Sequence, residues 1–458
     1  MSAKLSPASG IALVIAWCAL MLAAIGGVEA VKPIGMIAVA FYLIVQAPQL
    51  IRFAWGHLTF GALVTLTALF VLDQPGQVLA DGFWRSVFIV VLFASLGTLR
   101  VAAQTSSMVL ETGAMLVRQP PGRRYFAIVG GSTLFGAILN FGTIALFGGM
   151  IRDAVSDKPG GTVIDKARER RMMLALLRGF SLTMFWCPLT VAFAIASTTI
   201  AGAQWPLMVL FGTVLAVIVA TGGWLIDSPA SRRASGPQET APFSWKALTP
   251  LIGLLIFLST AAALVERFTY GQLIHGVILL VPIIGIVWIL RDVGHSGLRR
   301  IGQYITEQVP QQRNELTVLA NAAYVGTLIG ALLPQVFIDA VIGPQALPAV
   351  FVPALFMLLV VLFGLLGANP LITVAVLATV MIDPGRYGVN PTLAASALTI
   401  GWGLAIASSP ATAATMYIGR LTGYGSLTVG PRWNGIYTAF AVIVIGLALT
   451  AIAAITGP

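Results

Sequence analysis

Gly179-Phe180-Ser181-Leu182-Thr183-Met184-Phe185-Trp186-Cys187-Pro188-Leu189-Thr190-Val191-Ala192 lies over Gly401-Trp402-Gly403-Leu404-Ala405-Ile406-Ala407-Ser408-Ser409-Pro410-Ala411-Thr412-Ala413-Ala414, 222 residues later. Five of the fourteen positions are identical (Gly, Leu, Pro, Thr, Ala), and a sixth pairs Cys187 with Ser409. Each copy sets a proline and small polar groups in the middle of an apolar segment. Proline removes a helix hydrogen bond and clashes with the preceding turn. Two such interruptions at corresponding places in two halves of a chain are the sequence mark of a secondary-transporter site.

The composition fits that reading. The 458 residues are 58% hydrophobic and 9% charged, with a mean hydropathy of +0.94. A soluble domain carries about 25% charged residues. Apolar runs long enough to cross a bilayer recur along the chain, so it is a polytopic helical membrane protein. The first apolar run has no evident cleavage site and reads as a retained helix. Cys18 and Cys187 both fall in apolar segments, and the three histidines, His57, His275 and His295, are scattered. These exclude a disulfide framework and a zinc constellation.

The net charge of +10 is distributed as a topology signal rather than a nucleic-acid footprint. Of 26 Lys and Arg, 20 fall in one set of loops. They are Lys4, Arg52, Arg118, Arg123, Arg124, the six from Arg152 through Arg171, Arg232, Arg233, Lys246, Arg291, Arg299, Arg300, Arg313, Arg420 and Arg432. The opposite set holds only Lys32, Arg85, Arg267 and Arg386, while Arg100 and Arg178 lie within apolar segments. Placing the basic loops inside puts the N-terminus in the cytoplasm and the C-terminus outside a bacterial inner membrane. Anionic lipid headgroups are the partners of such loops, and nucleic acid is not.

On this topology eleven spans are expected, at about 10–30, 32–50, 58–73, 86–116, 172–199, 203–227, 246–266, 270–291, 314–343, 391–420 and 433–456. Residues 74–85 read as an external loop. The stretch 126–151 has basic flanks on both sides, so it must enter and return as a re-entrant hairpin; 351–382 is its counterpart. The organisation is an N-terminal helix (1–31), a first repeat (32–227), a cytoplasmic linker (228–245) and a second repeat (246–458). Gly97-Thr98-Leu99 recurs as Gly326-Thr327-Leu328 at an offset of 229, Glu111 pairs with Asp339 at 228, and Asn140 with Asn369 at 229. Matching segments face opposite sides, which makes an inverted-topology repeat, the architecture of alternating access. The fold class is therefore all-α, with about eleven transmembrane helices and two re-entrant hairpins in inverted repeats.

This layout resembles the ion transporter superfamily, and within it the divalent-anion/sodium symporter architecture. The tips read Leu139-Asn140-Phe141-Gly142-Thr143 and Ala368-Asn369-Pro370-Leu371-Ile372-Thr373; each keeps an Asn and a Thr, without that family's Ser-Asn-Thr string. The resemblance implies coupled movement of a small anionic solute by a homodimer. Arsenite, citrate, gluconate and sodium/proton exchangers are related branches, so a cation/proton antiporter or a passive anion facilitator stays open.

The candidate substrate- and ion-binding residues are Asn140, Thr143, Cys187, Pro188, Thr190, Asn369, Thr373, Ser408, Ser409, Pro410, Thr412 and Arg100. Neutral oxygens at a helix break can hold a carboxylate or a cation; the competing reading is that these hydroxyls bond back to their own helix. Arg100 is the deepest charge and either binds an anion or pairs with an acid. Arg178 is expected to snorkel to the interface. Glu111 and Asp339 are expected to be interfacial or structurally paired, and His275 a packing or interface residue. No carboxylate falls in a break or a tip, which leaves sodium on neutral oxygens, a relay through Glu111 or Asp339, or no coupling. No other cofactor is expected. Enzymatic function is disfavoured: Cys187 has no histidine in its segment to act as its base.

Overall fold

A computed structural model describes residues 2–156, 163–231, 242–343 and 347–457. Arg232, Arg233, Lys158 and most of the 228–245 linker lie outside the described residues. In chain order the α-helices begin with α1 (Ser2–Ala24), α2 (Lys32–Gln46), α3 (Arg52–Val71), α4 (Pro75–Thr105) and α5 (Ser107–Val117). There follow α6 (Pro121–Leu139), α7 (Gly142–Ser156), α8 (Val163–Trp186), α9 (Val191–Thr199) and α10 (Trp205–Ser231). Next come α11 (Thr249–Phe268), α12 (Leu273–Val293), α13 (Ser296–Gln303), α14 (Val309–Gln311), α15 (Arg313–Leu332) and α16 (Gln335–Ile342). The last are α17 (Val352–Leu365), α18 (Pro370–Val380), α19 (Pro391–Ser408), α20 (Ala413–Thr422) and α21 (Trp433–Thr456).

Among the described residues, eleven helical segments are long and apolar enough to cross a membrane, and each overlaps one of the eleven expected spans. Their large apolar side chains face outward: Ile37, Ile44, Phe70 and Ile455 are 69%, 71%, 88% and 85% exposed. Such a surface needs lipid around it. Three local expectations change. Residues 75–85 are not a loop: Pro75 opens α4, and Gly82 brings that first stretch against Tyr324 and Leu328 of α15. The fourth span is divided at Ser106, whose extended backbone separates α4 from α5. The ninth ends at Leu332, because Pro334 cannot continue it.

The chain forms two compact units, and each draws on both halves of the sequence. The first contains residues 1–105, 256–338 and 375–380. In it α4 packs against α12 and α15, α15 also against α3, and α1 against α2. Small and polar residues permit the crossings: Ser86 Oγ donates to the Ala320 carbonyl at 2.7 Å, and Asn321 Nδ2 to the His57 carbonyl at 2.7 Å. A pair of this kind between helices adds attraction that the hydrophobic effect cannot provide in lipid. His275 caps α12 by accepting the Gln272 N–H at 3.0 Å and sets its ring edge-on to Phe88, a packing role as expected.

The second unit contains residues 106–255, 339–374 and 381–458. Its centre is the crossing of α8 and α19. The α6–α7 hairpin packs on α8, α17 on α19, and α10 and α21 flank them. In both central segments 94% of the residues in the most apolar stretch are buried, against 22–72% in the other spans. They are surrounded by protein, which is where a break in the backbone ladder can be tolerated.

Candidate functional site

The two quoted stretches break their helices at matching residues. α8 ends at Trp186, with Cys187 N–H closing the last turn onto Thr183 O at 3.0 Å. Pro188 stops propagation, and Thr190, in extended conformation (φ −100°, ψ 149°), starts α9 by accepting the Phe193 N–H at 3.3 Å. In the second copy Ser409 N–H closes α19 onto Ala405 O at 2.8 Å. Thr412 (φ −78°, ψ 147°) then starts α20 by accepting the Thr415 N–H at 3.4 Å. The pattern Cys/Ser-Pro-x-Thr is thus a stop followed by an N-cap: the proline ends one helix and the threonine opens the next.

The breaks lie close to where the two helices cross. Gly403 of α19 sits on Ser181 O and on the Phe185 ring of α8, so close that a Cβ there would lie 2.5 Å from that oxygen. The second part of each broken helix packs on the first part of the other, α9 on α19 and α20 on α8. Each break also carries a hairpin in the same way. A Cβ on Gly136 of α6 would lie 2.5 Å from Thr183 Oγ1, and one on Gly364 of α17 would lie 2.8 Å from Ala405 Cβ. Thr183 and Ala405 are counterparts in the two aligned stretches. Gly179 likewise rests on Val129 of α6, and its counterpart Gly401 on Met357 of α17.

The hairpin tips reach the second break and the helix it starts. Phe141 meets Tyr417 of α20 edge-on at 5.8 Å between ring centroids, and Gly367 lies beside Ala411. Asn140 is at the tip between α6 and α7, and it is the single non-glycine residue with positive φ among the described residues (φ 50°, ψ −131°). That conformation suits glycine and costs an asparagine about 1 kcal/mol or more. Asn369 is half-buried, and its Oδ1 accepts the Leu371 N–H at 3.0 Å, closing the tip on itself. Thr373 follows, half-buried, on α18.

The predicted hydroxyls divide into two groups. Thr190 Oγ1 donates to Cys187 O at 3.0 Å and Ser408 Oγ to Leu404 O at 2.8 Å. Ser409 Oγ accepts the Ala411 N–H at 3.1 Å, and Thr412 Oγ1 reaches Ile406 O at 3.1 Å and Thr415 Oγ1 at 3.0 Å. These four build the breaks. Thr143 differs: it is fully buried, and its Oγ1 has no hydrogen-bond partner among the described residues. An unpaired buried hydroxyl is costly and calls for an explanation. Cys187 and Pro188 are buried against the break, and Pro410 is half-buried. What the breaks present chemically is main chain: the first-turn N–H groups of α9 and α20 and the last carbonyls of α8 and α19.

Arg100 lies in the first unit, half-buried, its guanidinium 5.9 Å from the Phe93 ring centre. No carboxylate pairs with it among the described residues. The expectation for Arg178 is corrected. It does not snorkel but is 1% exposed, with Nη1 2.6 Å from Asp227 Oδ2 and Nε donating to Asn434 Oδ1 at 3.0 Å. Its guanidinium lies over the Tyr437 ring at 4.4 Å. Position alone suggested an interface; Asp227, 49 residues on in α10, holds the charge inside instead. Asp339 is structurally paired as expected, with Arg386 at 3.3 Å and the Tyr387 hydroxyl at 3.2 Å. Glu111 is exposed.

No protein-family model matches the chain, and no curated protein matches it. Solved structures do. The YdaH transporter of Alcanivorax borkumensis superposes with a TM-score of 0.59 at 17% identity, over 88% of this chain and 99% of its own. MtrF of Neisseria gonorrhoeae, from a class of antimetabolite efflux pumps, superposes with a TM-score of 0.58 at 15% identity, over 88% and 95%. The chain is a multi-pass membrane protein, and it shares its helical fold with these two transporters.

Proposed function

We propose that the chain is a secondary active transporter. It carries a small anionic, carboxylate-like solute across the inner membrane by alternating access, coupled to sodium or protons. The carrying observation is the pair of matched breaks, Cys187–Thr190 and Ser409–Thr412, each ending one buried helix and capping another. Helix N-termini favour anions, so the starts of α9 and α20 are where a carboxylate is held. The neutral oxygens of Asn140, Thr143, Asn369 and Thr373 suit a sodium ion. The glycine contacts repeated at Gly136 and Gly364, and at Gly179 and Gly401, support an inverted repeat with re-entrant hairpins. The divalent-anion/sodium symporter architecture and a homodimer belong to the same reading. The likeness to YdaH and MtrF supports transport, and MtrF favours a second reading of direction, export rather than uptake.

The test is single cysteines at Asn140, Thr190, Asn369 and Thr412 in a Cys18→Ser, Cys187→Ser background. A thermal-shift screen of carboxylates with and without sodium supplies the substrate. A polar thiol reagent is expected to label these cysteines, and substrate to protect them. Four inert cysteines, probed from both sides, would overturn the site. Flux indifferent to imposed sodium and proton gradients would make the protein a passive facilitator.

A further inference from the structure

In the first unit α12 leaves its apolar zone in a definite order. Ile283 and Val287, 47% and 59% exposed, form its outward stripe, and Arg291, one turn further along the same face, ends it. Trp288 stands at that level with its indole N–H donating to Asp292 Oδ2 at 3.0 Å, an aromatic of the kind found where headgroups begin. Gly294 then turns the chain at φ 62°, a conformation that suits glycine. The turn folds α13 back: a Cβ on Gly297 would lie 3.0 Å from Ile289 Cγ2 and 3.2 Å from Leu290 Cδ2. α13 is therefore held against the last apolar turn of α12, at the boundary of the span.

The eight residues of α13 carry both kinds of group that such a boundary accepts. Leu298 is 61% exposed; Arg299 follows it, exposed, and Arg300 is half-buried. Among the described residues no carboxylate pairs with Arg291, Arg299 or Arg300. Asp292, the acid next to Arg291, is bonded to Trp288 instead. A leucine that the protein leaves bare, beside three guanidinium groups without acidic partners, is complementary to acyl chains on one side and phosphates on the other.

We propose that α13 is an interfacial helix that docks on the headgroups of anionic phospholipid, with Arg291, Arg299 and Arg300 on the phosphates and Leu298 entering the acyl boundary. Guanidinium is the side chain that matches phosphate geometry, and short basic amphipathic segments beside a span take anionic headgroups. The surface belongs to the first unit, separate from the helix breaks, and does not rest on the transport reading.

The test titrates phosphatidylglycerol into purified full-length protein in neutral detergent and reads amide hydrogen exchange over residues 294–303. Phosphatidylcholine and inorganic phosphate are the comparison probes. Exchange is expected to slow with phosphatidylglycerol alone. Arg299→Gln with Arg300→Gln is expected to weaken the apparent affinity about thirtyfold, at about 1 kcal/mol per arginine. The same pair changed to lysine keeps its charge and is expected to keep most of the response. Leu298→Ser is expected to weaken it about tenfold through the lost apolar contact. An equal response of the glutamine pair and wild type overturns the site. Slowing by inorganic phosphate as strong as that by phosphatidylglycerol overturns the lipid assignment and makes the ligand a free phosphate.

Discussion

Arg178 Nη1 and Asp227 Oδ2 lie 2.6 Å apart, one residue before the first broken-helix motif, with Arg178 1% exposed. The same guanidinium bonds Asn434, whose amide donates to Val429 O, so α8, α10 and the segment before α21 share one buried charge. Removing one partner of a buried pair strands the other. Asp227→Asn strands the buried Arg178 and is expected to destabilise by about 3 kcal/mol or more. Arg178→Met strands Asp227, which is one quarter exposed and can turn to water, so it costs less. Thermal unfolding in detergent checks the order; an Arg178→Met loss larger than that of Asp227→Asn would refute it.

Gly136 and Gly364 support the two breaks from below. Gly136→Ala is expected to cost about 1–3 kcal/mol, because its methyl would overlap Thr183 Oγ1. The double variant with Thr183→Ser keeps that hydroxyl and leaves the loss in place, whereas Thr183→Ala relieves most of it. Gly364→Ala is expected to be relieved by Ala405→Gly. A double-mutant cycle on Tm reads both, and additive losses would show that the contacts are not the cause.

Asn140 stands at φ 50° without a glycine's freedom. Asn140→Gly is expected to stabilise by up to about 1 kcal/mol, and Asn140→Ala to destabilise. A stabilised Asn140→Gly protein that no longer transports would separate the side chain's role in binding from its role in the turn. Unchanged transport would remove Asn140 from the site.

Thr143→Val keeps the shape and removes the unpartnered hydroxyl. The fold is expected to be unharmed or about 1 kcal/mol more stable, since no bond within the protein is lost. Transport is expected to fall. Full transport with raised stability would mean that Thr143 holds no ligand.

Thr190→Val and Thr412→Val each delete an N-cap, worth about 1 kcal/mol. Thr412 is expected to cost more, because its hydroxyl also reaches Ile406 O and Thr415 Oγ1. Urea or thermal titration of the two variants checks the ranking.

The helical class, the eleven spans and both breaks were legible in the residues. Each depends on local physics. A run of about twenty apolar residues has one stable form in lipid, and Pro188 or Pro410 followed two residues later by a threonine stops and restarts a helix whatever surrounds it. The start of α4 was missed because Gly82 packs on Tyr324, 242 positions away in sequence.

Partners distant in the chain were decided by the tertiary structure alone. Which helices form each unit, the burial of Arg178, and the spending of four hydroxyls on the breaks while Thr143 keeps its own all depend on such contacts. Arg178 finds Asn434 256 residues away. A side chain's charge and reach are written in the sequence, but its desolvation and its partner exist only once the helices have packed.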